Sequence, residues 1–298
     1  MQIGEFLAAM WILSNPVECD MSKTRTYAEW STLTPWSQRI RNGVRSAVIA
    51  ALAIGRRIDW SNNWIRCPFY HHIFDDERQG FRNQLDYLRN FGEFISLDDA
   101  QAMLVGEYAI DGRYFCLTFD DGLKSCVDGA LPILSDKNIP AAFYVVTDVL
   151  ERSFPPDDPV ARATFGFNGV NTSLDFLSWE DCRELISAGM TIGSHTASHA
   201  RLSELSEEEV CVEMGRSKNK IEENTGHPCR HFCAPYGNPD RDFHLSRDGR
   251  LAMETGYSTF ATGLRGPNRQ GCNPFALRRD HMLANWGMHQ LKYFLSLD

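Results

Sequence analysis

The sequence contains no run of lysine and arginine, and its charge leans the other way. Its 39 acidic and 30 basic residues give a formal net charge of −9 over 298 residues. An acidic chain without a basic tract is a poor partner for nucleic acid or an anionic membrane, whereas a neutral or cationic glycan suits it. No apolar stretch is long enough to cross a bilayer. The run VRSAVIAALAIG at 44–55 is far short of the ~20 residues a spanning helix needs. It reads as a packed helix, with peripheral membrane contact left open. The N-terminal MQIGEFLAAMWIL lacks a basic leader, is interrupted by Glu5 and runs into no clean small-residue cleavage site, so it does not read as a signal peptide. The nine cysteines are odd in number and form no tight framework. Cys229 and Cys233 lack the second pair of a zinc knuckle. Reduced thiols and a cytoplasmic location are expected, with the periplasm as the alternative. No repeat or low-complexity tract stands out. A hydrophobic share of 43% and a charged share of 23% are ordinary for a globular protein with a substantial core.

Two regions are expected: a helical extension over 1–62 and an α/β domain over 63–298. STLTPW at 31–36 breaks the extension, and helix resumes from Ser37 to Ile58. From Ile65 strand-like and helix-like segments alternate: IRCPFYHHI, FRNQLDYLRNFG, EFIS, LDDAQAMLVG, RYFCLTFDDG, CVDGALPILSDKN, AAFYVVT, LSWEDCRELISAG, MTIGSHT, SEEEVCVEMGRSKNKIEENTG, HFCAPYG, RLAMETGYSTFATG and FALRRDHM. Such alternation predicts a parallel α/β architecture. Ser96 or Asp98 is the expected cap of one helix, and Ser178 of another.

Polar residues cluster just after the strand ends: His71 and His72, Asp120 and Asp121, His195, Tyr236, and Asp280 with His281. In a parallel barrel those ends share one face, so residues distant in sequence converge there. In TFDDG, Asp120 and Asp121 terminate an apolar strand on opposite faces, so one can ligate a metal while the other handles a proton. Gly122 permits the turn. Taken alone, a DDG turn is equally a polar loop with a capping Asp. In SHTASH, His195 and His199 can reach one metal if the segment turns helically. Thr196 stands where a metalloprotease carries its glutamate, so the base must come from elsewhere. Alone, the pair could be capping or surface histidines. Together, Asp121, His195 and His199 supply two imidazoles and a carboxylate and leave positions open for water and substrate.

With these motifs, residues 68–298 resemble the polysaccharide deacetylase family, on its exopolysaccharide-type branch. TFDDG matches the family's first motif and SHTASH its second, with YHHI, LSWEDCRELISAGMTIGSHTASHARLSELS and HFCAPYG in the expected order. The resemblance does not extend to residues 1–60. It implies a distorted (β/α)7 barrel. It also implies a metal-dependent hydrolase that removes N-acetyl groups from amino sugars of a polysaccharide or glycan precursor. By that match Asp120 resembles the general base that activates the attacking water. Asp121, His195 and His199 resemble the metal ligands, and the Tyr236 amide resembles the oxyanion donor. The donor set favours Zn2+, with Ni2+, Co2+ and Fe2+ as alternatives.

The third motif departs from the family pattern. Where many members have F-R-x-P-Y-G, this chain has Phe232-Cys233-Ala234-Pro235-Tyr236-Gly237. Cys233 takes the position of the arginine that tethers the catalytic Asp. Arg279 fits an L-x-R segment on a late strand and is preferred to Arg278, because alternation puts it on the face of Leu277; the rival reading is a surface cation. His281 is the general-acid candidate. His71 would line the substrate cleft or assist proton transfer, unless it is a structural histidine. Trp179, Trp286 and Tyr236 could stack on sugar rings, although core packing or helix capping suits the tryptophans equally. Rival functions are O-deacetylation, small-amide hydrolysis, and a non-catalytic glycan-binding protein that keeps the metal. Glycoside hydrolysis is disfavoured, because adjacent carboxylates rarely flank a bond at the required ~5–9 Å.

Overall fold

A computed structural model describes residues 22–58 and 62–297; the apolar stretch at 1–13 lies outside them. Among the described residues are twelve strands: β1 Trp64–Arg66, β2 Pro68–Tyr70, β3 Glu93–Phe94, β4 Arg113–Phe115, β5 Leu117–Phe119, β6 Ala141–Val145, β7 Ser153–Phe154, β8 Leu174–Asp175, β9 Thr191–Ser194, β10 His231–Cys233, β11 Thr259–Ala261 and β12 Asp280–His281. Seven of them form one sheet in the order β11-β10-β9-β6-β5-β2-β12, with every neighbouring pair parallel. The chain just before β12 closes the ring. Leu277 bridges Ala261, and its carbonyl accepts the Thr262 amide at 2.9 Å. The result is the distorted (β/α)7 barrel expected from the motifs. β2, β5, β6 and β10 are buried at every residue, as strands covered by helices outside and side chains inside must be.

Two runs that read as single strands are each broken in two. IRCPFYHHI divides at Cys67 and RYFCLTF at Cys116. The lower halves β1 and β4 join β3 in a separate parallel sheet of order β1-β4-β3. Pro68 has no amide to give the ladder, which accounts for the first break. Arg66 then turns its buried guanidinium to Asp280, at 3.0 Å.

The connecting helices begin at serine caps. Ser96, Ser178 and Ser206 accept the amides of Asp99, Asp181 and Glu209, whose carboxylates reciprocate. Ser96, not Asp98, therefore starts helix Leu97–Val105. Helix Glu207–Thr225 ends at Gly226 in the left-handed conformation, φ 72°. Three features had no counterpart in the sequence reading: the antiparallel pair β7–β8, the short helix Pro159–Phe165 and the C-terminal helix Met288–Leu295.

Before the barrel come helices Tyr27–Trp30 and Trp36–Leu52, separated where STLTPW predicts a break. The second ends at Leu52, short of Ile58. Trp30 packs on His72, Phe74 and Phe167, with ring centroids 5.3–5.7 Å apart. Among the described residues no helix is long and apolar enough to cross a membrane.

Candidate active site

The ends of the barrel strands build the site. The Asp120 amide makes the last ladder bond from β5, to the Tyr70 carbonyl at 2.9 Å. The chain then turns sharply, with Asp121 at φ 71° and Gly122 at φ 78°. After β9 the same occurs: the His195 amide bonds the Val145 carbonyl at 2.9 Å, and Thr196 and His199 follow at φ 66° and 63°. Left-handed backbone at non-glycine residues is costly and persists only where the surroundings over-determine it. Here Thr196 Oγ1 accepts the His199 amide at 2.8 Å. Glu213, on helix Glu207–Thr225, accepts the amides of Ala197 and Ser198 at 3.1 and 2.9 Å. The two histidines thus converge through a strained loop and not through the helical turn their spacing suggests.

Asp121 Oδ1 lies 3.5 Å from His195 Nε2 and 3.3 Å from His199 Nε2. Ligands about 2.0–2.1 Å from a tetrahedral Zn2+ stand ~3.3–3.4 Å apart, so these two separations are close to the edges of such a shell. The tautomer also fits. His195 Nδ1 lies 2.9 Å from the Cys233 carbonyl, which can only accept, so this nitrogen carries a proton and the neutral ring would offer Nε2 to a metal. Burial would raise the Asp121 carboxyl, but hydrogen bonds from His195 and His199 hold it well below the usual range. Burial pushes His199 below its ordinary value, towards the neutral form a metal needs. Residues Asp121, His195 and His199 could therefore hold a divalent cation.

Asp120, which also lies near His195, is gripped by Arg279. The guanidinium donates twice, Nη1 to Oδ1 at 2.7 Å and Nη2 to Oδ2 at 2.8 Å. It also donates to Thr118 Oγ1 and to the Thr262 carbonyl, each at 3.0 Å, and it lies 4.2 Å above the Phe69 ring. Arg279 Nη2 is 2.9 Å from Cys233 Sγ. An arginine reaching in from residue 279 thus occupies the space beside position 233. Leu277 and Arg279 are buried while Arg278 is exposed, in accord with alternation. Burial alone would raise the Asp120 carboxyl; the Arg279 charge and hydrogen bonds bring it below the usual range.

A cleft of about 350 Å³ opens over these groups, and His71, Tyr236 and His281 line it. The His71 and His281 rings meet edge to face at 5.1 Å. Burial pushes both imidazoles below their ordinary values, His281 the further. Tyr236 sits at φ 64°, its ring 4.8 Å from that of His199 and 4.2 Å below the Arg201 guanidinium. Among the described residues its backbone N–H donates to no protein group. The turn that carries it lies against the 262–264 loop. Gly263 donates to the Gly237 carbonyl at 2.8 Å, and a Cβ on Gly237 would stand 2.8 Å from the Gly263 nitrogen.

Four residues that the sequence singles out lie elsewhere. Trp179, weighed as a sugar-stacking ring, is buried in the core beneath its helix N-cap and does not reach the cleft. His72 turns away to Glu77, with Nδ1 at 2.7 Å from Oε2. Asp280 pairs with Arg66 beneath the barrel rim, because alternation sends it opposite to Arg279 and His281. Trp286 stacks on Phe294 at 4.9 Å and also lies outside the cleft. Conversely, Thr164 and Phe165 line the cleft from the unforeseen helix Pro159–Phe165, and Phe165 lies 5.3 Å from the His199 ring. No period or motif in 150–176 marks them. Glu213 had a faint signal, as an acid midway along a helix.

Residues 109–256 match the polysaccharide deacetylase family. No curated protein matches the chain. Among solved structures, IcaB from Ammonifex degensii superposes with a TM-score of 0.64 at 24% identity, over 79% of this chain and 98% of its own. The Streptococcus pyogenes deacetylase PplD, solved with acetate, gives 0.62 at 20% identity over 78% and 98%. The deacetylase domain of BpsB from Bordetella bronchiseptica gives 0.58 at 20% over 74% and 96%. At these identities the likeness is one of fold.

Proposed function

Because the chain belongs to the polysaccharide deacetylase family, a family of hydrolases, we propose that it removes N-acetyl groups from amino sugars of a polysaccharide or glycan precursor. One observation carries the proposal. A cluster of two imidazoles and a carboxylate at ligand spacing stands beside a second carboxylate kept ionised by a bidentate arginine, in a single cleft. The known structures of similar fold whose names include a deacetylase support it at the level of chemistry.

In this reading Asp121, His195 and His199 hold the metal, for which Zn2+ is our choice and Ni2+, Co2+ and Fe2+ the alternatives. When bound, the ion supplies Lewis acidity to the acetyl carbonyl and to the attacking water. Asp120 accepts the water proton; Arg279 keeps it anionic and fixes its plane. The Tyr236 amide, free to donate, stabilises the oxyanion of the tetrahedral intermediate. We take His281, with His71 beside it in the cleft, as the candidate to return a proton to the leaving amine. Burial disfavours their charged forms, so in this reading either ring relays to the amine the proton that Asp120 takes from water, holding it only as negative charge develops on the leaving nitrogen.

The same residues could serve an O-acetyl ester, so the substrate is settled by assay. Acetate release from an N-acetylglucosamine oligomer, present with added metal and absent with chelator, is the expected result. Release from an O-acetylated xylo-oligomer alone would move the assignment to the ester, and tight glycan binding without release would make the chain a binding protein. On the odd cysteine count, the cytoplasm is the proposed compartment and the periplasm the rival; cell fractionation separates them.

A further inference from the structure

Helix Trp36–Leu52 wears its polarity inside out. Its inner face carries Ile49, which is buried, and Ser46, whose hydroxyl accepts Gln290 Nε2 from helix Met288–Leu295 at 3.0 Å. Ala53, one residue on, is buried too. At ~100° per residue these positions share one arc. In water the opposite arc is ordinarily polar. Here it holds Trp36, Ile40, Val44, Val48 and Leu52, respectively 77%, 44%, 59%, 51% and 48% exposed. Arg41 and Arg45 follow along one flank of that arc, whereas Arg39 falls on the arc of Ser46 and donates to the Ser31 and Thr32 carbonyls.

Charge identifies the occupant. Residues 36–58 contain five arginines, at 39, 41, 45, 56 and 57, and no aspartate or glutamate, in a chain whose net charge is −9. The local balance thus reverses the global one, from which membrane contact looked unfavourable. Pairing two copies of this face would bring arginines together with no acid to offset them. An anionic bilayer offers both an apolar layer for the valines and negative headgroups for the flanking arginines. We propose that helix Trp36–Leu52 lies in the interfacial plane of an anionic membrane, with its apolar arc turned into the lipid.

The placement of the helix has a consequence that rests on the proposed function. A groove between the helix and the barrel is lined by Arg45, Ile49, Leu283 and Trp286, and Trp286 lies 6.3 Å from the His281 ring of the cleft. A docked helix would hold the cleft close to the membrane surface, where an acetylated saccharide carried on lipid is presented. Docking itself needs no catalysis, so the two readings fail separately.

The test is co-sedimentation of the full chain with vesicles of phosphatidylcholine, alone or mixed with phosphatidylglycerol. Binding to the mixed vesicles and weakening with salt are expected. The V44E/V48E pair should abolish it. Arg41→Glu and Arg45→Glu should each weaken it at least about fivefold, the equivalent of ~1 kcal/mol per basic residue. Circular dichroism and melting should be unchanged in V44E/V48E, since both positions are exposed. The proposal is overturned if the wild-type chain ignores mixed vesicles, if V44E/V48E binds them equally well, or if light scattering shows a dimer that V44E/V48E dissolves. Unaltered acetate release from a soluble oligomer by V44E/V48E would assign the helix to docking alone. Absence of release in the wild type would sink the catalytic reading and leave docking standing.

Discussion

The barrel mouth and helix Trp36–Leu52 depart from the usual distribution of polarity in opposite senses. At the mouth Asp120, Asp121, His195, His199 and Arg279 are all buried, where isolated charges are costly unless paired or bound to a metal. On the helix, a tryptophan and four aliphatic residues face solvent. The mouth is intelligible once a cation completes the Asp121 cluster and Arg279 neutralises Asp120. The helix is intelligible once lipid covers it. On these two proposals each region serves something outside the polypeptide, and the two should respond to different perturbations.

The largest effect should come from the ligand cluster. His199→Ala should lose bound metal, measured by elemental analysis, and lower kcat/KM by about 10³-fold or more, since the ion supplies several kcal/mol of charge stabilisation. Asp120→Asn sharpens the division of labour between neighbouring carboxylates. It should keep the metal and lower kcat by ~10²–10⁴-fold, the range for a proton-transfer group. Full activity in this variant would remove Asp120 from the mechanism.

Arg279→Met comes next. It leaves the Asp120 charge buried without its partner, so denaturant unfolding should show a loss of about 3–5 kcal/mol at neutral pH. Freed from the guanidinium, Asp120 should titrate higher under the influence of burial, and the acid limb of kcat/KM should move to higher pH. Arg279→Lys, which keeps the charge without the fork, should fall between. A related effect concerns acid stability. The folded carboxyl of Asp120 lies below its ordinary value, so its stabilisation is complete above the ordinary carboxylate pKa of ~3.9 and is lost as pH falls through the lowered one. Metal-free protein unfolded in urea across that window should show this loss, and Arg279→Met should flatten it. The smallest effect is expected at the other region: V44E/V48E should leave kcat/KM on a soluble oligomer within about twofold, as for exposed substitutions away from a site.

The site was more legible in the sequence than the route by which the chain builds it. TFDDG and SHTASH named Asp120, Asp121, His195 and His199, and strand alternation separated Arg279 from Arg278. The i, i+4 spacing of the histidines suggested a helical turn, because spacing carries no information on the sign of φ; the loop instead uses left-handed Thr196 and His199 braced by Glu213. Continuous strand-like composition concealed the divisions at Cys67 and Cys116, since WIR and PFY, and likewise RYF and LTF, each read as one extended run. The stretch 150–176 has neither period nor motif, so Phe165 emerged only from the tertiary arrangement. Trp179 shows the opposite hazard: an aromatic at a helix start next to a motif is core here, since a single residue's type does not reveal which way its helix faces.

The most direct test is anomalous diffraction at the zinc edge from crystals grown with Zn2+. The account predicts one strong peak about 2.0–2.1 Å from Asp121 Oδ1, His195 Nε2 and His199 Nε2, with Asp120 still held by Arg279 and outside the coordination sphere. A peak bound through Asp120 and Cys233, or no peak within reach of the three residues, would contradict it.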